Sequence, residues 1–73
     1  MTTGVIQRLT KALGPSVAGQ LAKDGLMKLG LDELRTPDEL LGFANYLLTH
    51  GGVIESVGRA LKVTALLRGA TED

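Results

Sequence analysis

The sequence has no cysteine and no tryptophan, and its aromatic side chains are limited to Phe43 and Tyr46. Without cysteine there is no disulfide framework and no thiolate site for zinc or an iron–sulfur cluster. Histidine occurs once, at position 50, so no two imidazoles of one chain can share a metal. Surplus charge is lacking as well, with Lys plus Arg at 8 and Asp plus Glu at 8. Strong non-specific binding to nucleic acid needs excess cations that release counterions from phosphate. Long apolar runs are also missing. The longest uncharged stretch, Leu40 to Ile54, contains Asn45, Tyr46, Thr49, His50 and three glycines, whereas a membrane span needs about 18 or more consecutive apolar residues. Met1-Thr2-Thr3-Gly4-Val5-Ile6 lacks the charged and then apolar pattern of a secretory signal. A cytoplasmic location with no membrane span is the expectation.

What the chain does contain is aliphatic. Hydrophobic residues make up 44% of the 73 positions, and Leu dominates them. This is too apolar for a disordered tail, and the length allows one domain, residues 1–73. Ordering a chain of this size costs on the order of 100 kcal/mol. Small domains bury only about 60% of the surface of the unfolded chain, and association is one of the usual remedies. An oligomer is therefore expected on energetic grounds alone.

Apolar residues recur at spacings of three and four, the helical period, nearly throughout. Val5, Ile6, Leu9, Ala12 and Leu13 share one face of a helix over 3–13. Gly14 breaks the pattern and Pro15 suits the first position of a second helix. That helix, 15–29, has Val17, Ala18, Leu21, Ala22, Gly25, Leu26 and Leu29 as its apolar stripe, with Gly30 as C-terminal cap. One short helical turn is expected over 31–35. Thr36-Pro37-Asp38-Glu39 is a capping box that opens a third helix, 37–49, with acidic residues at the positive dipole end. Gly51-Gly52 ends it, and a fourth helix spans 53–68, followed by a frayed tail at 70–73. No segment alternates apolar and polar residues as a half-buried strand does. The expected fold is an all-α bundle of about four helices, its core built from Leu9, Leu21, Leu26, Leu29, Leu40, Phe43, Leu47, Val57 and Leu61.

Catalytic constellations need paired groups in a rigid pocket, and few candidates exist. His50 sits one helical turn after Tyr46, so a small enzyme using His50 with Tyr46 or a carboxylate is one alternative function. The simpler reading places His50 at the helix end, where its side chain meets the free carbonyls. Asp32, Glu33, Asp38 and Glu39 cluster within eight positions, but Pro37 and the spacing fit no calcium loop. Helix-start electrostatics account for them. No catalytic, cofactor-binding or metal-binding residue is assigned, no cofactor is expected, and the chain reads as a non-enzyme.

Charge is zoned despite the zero total. Residues 1–30 carry a net +3 through Arg8, Lys11, Lys23 and Lys28 against Asp24. Residues 31–45 carry −3, and the remainder balances. Opposed zones can set the register of two chains. The last helix is the least ordinary element. Val53, Ile54, Val57, Ala60, Leu61, Val63, Ala65 and Leu67 cover about 200° of its wheel, with Leu66 on the charged side beside Glu55, Arg59 and Lys62. A helix on the surface of a small domain needs a stripe only a little over 100° wide. Gly58 marks a point of close backbone approach, as Ala18, Ala22 and Gly25 do on the second helix.

Two other uses of this helix draw on the same residues. Its basic residues are too few, and Trp is absent, for a helix lying on a membrane. Val53 to Thr64 resembles the first helix and turn of a helix-turn-helix DNA reader, and that resemblance implies a recognition helix to follow. Only Ala65 to Asp73 remains, with Gly69 inside it and Glu72-Asp73 at its end. A dimeric regulator using Arg59, Lys62 and Arg68 is thus a second alternative, and nucleic acid is not the expected partner. The expected function is a helical protein–protein interaction module. It self-associates or docks on a larger protein through Val53, Val63, Leu66 and Leu67, with Arg59 and Lys62 at the rim.

Overall fold

The computed structural model describes residues 2–71. Helices α1 (Thr2–Leu13), α2 (Pro15–Leu29), α3 (Pro37–Leu48) and α4 (Gly52–Leu67) account for all of its regular structure, and no strand occurs among the described residues. The all-α bundle expected from periodicity is the fold observed.

Each helix boundary has a local cause. Pro15 and Pro37 stand at the first positions of α2 and α3, where a missing N–H costs nothing. Gly30 adopts the left-handed conformation, and the Leu31 N–H donates to the Leu26 carbonyl at 2.9 Å, closing α2 with a Schellman motif. Thr36 caps α3 as a full capping box: its hydroxyl accepts from the Glu39 N–H at 3.1 Å, and Glu39 Oε1 accepts from the Thr36 N–H at 3.1 Å. Gly51, with φ of 71°, precedes α4.

The helices form a ring in which α1 packs on α2, α2 on α3, α3 on α4 and α4 back on α1, with the α3–α4 contact the most extensive. That contact is close because Gly58 lacks a side chain: a Cβ there would lie 2.9 Å from Leu47 Cβ and 3.0 Å from the Ala44 carbonyl oxygen. Gly25 does the same for α2, where a Cβ would meet the Phe43 ring at 2.5 Å. The core inside the ring is wholly apolar. Val5, Leu9, Leu40, Phe43, Leu47 and Leu61 are buried, and no polar side chain is buried among the described residues.

Several expectations need correction. Leu29 and Val17, assigned to the buried stripe of α2, are exposed, as is Ile6 on α1. Ile6 and Val17 sit at the edges of their stripes, whereas Leu29 lies against α3 beside Gly42, whose missing side chain leaves it partly open to solvent. Leu26 and Val57 are only half-buried against the core. Residues 31–35 form bends and no helical turn. Their amides are claimed by side chains: the Leu34 N–H donates to Thr2 Oγ1 at 2.7 Å and the Arg35 N–H to Glu39 Oε1 at 2.7 Å. Leu34 is consequently pinned in the core. The tail expected to fray at 70–73 is held at its start. Ala70 is buried, and the Thr71 N–H donates to Asp38 Oδ1 at 3.0 Å; residues 72 and 73 lie outside the described residues.

The surface area of 4387 Å² is close to the roughly 4,300 Å² that a monomer of 7.7 kDa exposes. The radius of gyration, 10.9 Å, matches the roughly 11 Å of a compact domain of this length. The bundle is thus as compact as a single chain of its mass, and it exposes the large share of surface usual at this size.

Candidate functional site

Helix α4 carries two apolar faces. Ile54, Gly58, Leu61 and Ala65 point toward α3 and the core, buried or half-buried. On the opposite side Val53 is 58% exposed, Val63 57%, Leu66 40% and Leu67 82%. These are the four apolar residues expected to form an interface, and the structure brings them together on the outer side of one helix. Which face of α4 is core and which is outward is open in the sequence, because the wheel is apolar on both sides. The ring packing settles it through Gly58, where α4 approaches the α3 backbone closely.

The outer side has a regular register. Val53, Ser56, Ala60, Val63 and Leu67 follow one another at spacings of three, four, three and four, and all five are exposed. That is the seam spacing of paired helices, where positions recurring every 3.5 residues keep facing a partner. Small residues, Ser56 and Ala60, occupy its middle and larger ones its ends. Leu66 and Arg59 flank the seam on one side. Arg59 is tied to Glu55 one turn earlier by an ion pair of 3.1 Å, so its charge is already matched. Lys62, expected at the rim, is half-buried and lies further round toward the core face.

A second feature was not foreseen from the sequence. An open groove of about 420 Å³ runs between α1 and α4. Arg8 and Lys11 line it from α1 and Arg68 from the end of α4, over Val5, Leu40 and Leu61. Arg8 and Lys11 read as the solvent side of α1, and Arg68 as part of a balanced C-terminal third. Only the tertiary contact of α1 with α4 assembles them. The signal that could have found them is the absence of any carboxylate in α1.

His50 Nδ1 lies 3.1 Å from the Tyr46 carbonyl oxygen, the C-terminal carbonyl contact of the simpler reading. The Tyr46 and His50 rings meet edge to face with centroids 4.7 Å apart, and no hydrogen bond joins the Tyr46 hydroxyl to the imidazole among the described residues. Partial burial, and then the negative charge of Asp24, push the Tyr46 phenol above its ordinary pKa of 10.0, away from the range useful to a proton shuttle near neutrality. The acidic cluster is dispersed into structural roles: Glu39 caps α3, Asp38 accepts from Thr71, and Glu33 pairs with Arg35 at 2.9 Å. Among the described residues no group of three His, Asp or Glu side chains is placed to hold a metal. Among the described residues no helix is long and apolar enough to cross a membrane. Neither a protein-family model, nor a curated protein, nor a solved structure matches this chain.

Proposed function

We propose that the chain is a self-association module whose outer α4 seam pairs with the same seam of a second copy. The observation that carries this reading is the exposed run Val53, Ser56, Ala60, Val63 and Leu67 at seam spacing, on the side of α4 that the core does not use. The register is self-complementary about Ala60. In an antiparallel pair with its two-fold axis there, Ala60 meets Ala60, Ser56 meets the region of Val63, and Val53 meets Leu67. Small residues at the crossing let two backbones approach, and larger ones fill the space where the helices diverge. Such two-fold self-matching is the commonest solution for small oligomers.

The seam also sets the expected strength. A 16-residue helix is about 24 Å long. A stable standard-sized interface takes about 800 Å² from each partner, close to a fifth of this chain's 4387 Å². One helix face falls at the low end of that range. A reversible dimer is expected. No catalytic role is part of this reading, and the partner is a second copy of the chain.

The absence of native cysteine makes a direct test simple. Ala60→Cys places a single thiol on the proposed axis, where two Cα atoms can come within the roughly 4.4–6.8 Å that a disulfide spans. Under mild oxidation this variant is expected to convert largely to a covalent dimer. Val17→Cys, exposed on α2, is expected to cross-link far more slowly. Equal rates for the two variants would contradict the α4 pairing.

A further inference from the structure

The groove between α1 and α4 is separate from the outer seam and has a chemistry of its own. Its floor is apolar, formed where the nearly fully buried Val5, Leu40 and Leu61 reach the surface. Its walls are cationic: Arg8 and Lys11 stand one helical turn apart on α1, and Arg68 faces them from α4. Among the described residues none of these three is within ion-pair distance of a carboxylate. Helix α1 contains no acidic residue, and the single one of α4, Glu55, is engaged with Arg59. Three like charges around one apolar-floored groove repel one another, and an anion seated between them relieves that repulsion.

Size and surroundings narrow the ligand class. A volume of about 420 Å³ lies at the lower end of small-molecule sites. Only three side chains of its lining are cationic, too few to follow a nucleic-acid backbone, which proteins typically grip through about 6–10 phosphate contacts. Guanidinium groups match phosphate and carboxylate oxygens in a planar, two-pronged geometry. We propose that this groove binds a small organic anion, an alkyl phosphate or an alkyl carboxylate. Its charged head lies between Arg8 and Arg68, and its apolar part lies along the aliphatic stems of Arg8 and Lys11, over the floor closed by Val5, Leu40 and Leu61.

The test is isothermal titration of the full chain with octyl phosphate, octanoate, inorganic phosphate and a short DNA duplex, with methyl chemical shifts read at Val5 and Leu61. Saturable one-to-one binding of octyl phosphate or octanoate is expected, at least tenfold tighter than inorganic phosphate, with shifts at both methyl positions. Arg8→Gln is expected to weaken it at least tenfold, while Lys23→Gln on the exposed side of α2 leaves it unchanged. Val53→Glu, which is aimed at the outer seam at the far end of α4 from Arg68, is also expected to leave it unchanged, so failure of the dimer and failure of the groove are told apart. Absence of saturation at millimolar ligand would overturn the proposal. So would equal affinity for inorganic phosphate, equal loss in Lys23→Gln, loss in Val53→Glu, or preference for the DNA duplex.

Discussion

Replacing Gly58 by Ala sets two known effects against each other. Gly in a helix interior is about 1 kcal/mol worse than Ala, so α4 alone gains about that much. Against this, the added Cβ would lie 2.9 Å from Leu47 Cβ, 3.0 Å from the Ala44 carbonyl oxygen and 3.2 Å from the Leu48 amide nitrogen. Two of these three atoms are α3 backbone and cannot swing aside as a side chain does. Carbon contacts are comfortable at about 3.5–4.0 Å, so α4 must retreat by roughly half an ångström or more. A gap of that size forfeits on the order of a quarter to a half of each lost contact. Overpacking a well-filled core typically costs about 1–3 kcal/mol, and the backbone partners put this site near the upper end. The net expectation is a loss of about 1–2 kcal/mol, or roughly 5–15 °C in Tm for a domain this small. Gly19→Ala is the matched control, since nothing lies within 4 Å of a Cβ there. It is expected to gain about 0.5–1 kcal/mol. Urea denaturation followed by circular dichroism reads both. Stabilisation in both variants would refute the close α3–α4 approach, and with it the orientation that leaves the α4 seam outward.

Thr36→Ala removes the hydroxyl that caps α3 and is expected to lose about 1 kcal/mol in the same urea assay. Thr36→Ser should retain most of it. Because the Tyr46 phenol is held above 10.0 by burial and by Asp24, the folded state resists its ionisation. Stability is therefore expected to be unaffected by this group below pH 10 and to fall as pH rises through the folded pKa. Tyr46 is the sole tyrosine, so phenolate absorbance follows it directly, and Asp24→Asn should move its midpoint toward 10.0.

Much of the fold is legible in the sequence because its causes are local. The capping box at Thr36, Pro at the first position of two helices and the Gly30 terminator each act within a few residues. The apolar period supplies the rest of the helical pattern. Gly58 and Gly25 are also readable, since a glycine that costs helix stability implies close packing in return. Legibility fails where partners are far apart in the chain. The expected turn at 31–35 gives way because Thr2 supplies a hydrogen bond to Leu34 from 32 positions away. Leu29 fits the α2 stripe by spacing and lies against α3, yet Gly42 opposite it has no side chain to cover it. The groove is hidden for the same reason: Arg8 and Arg68 come from opposite ends of the chain and meet only through the ring. The four exposed apolar residues of α4 are legible as an excess, but their division into inner and outer faces needs the structure.

Pairing through the outer side of α4 is tested most directly by sedimentation velocity across a hundredfold range of protein concentration, comparing the native chain with Leu67→Glu. Leu67 is 82% exposed, so its replacement leaves the core untouched while placing a charge at each end of the proposed seam. The weight-average sedimentation coefficient of the native chain is expected to rise with concentration from monomer toward dimer. Leu67→Glu is expected to stay monomeric throughout, with unchanged helical content. A native chain that remains a monomer across the whole range, or a variant that associates as strongly as the native chain, would contradict pairing through α4.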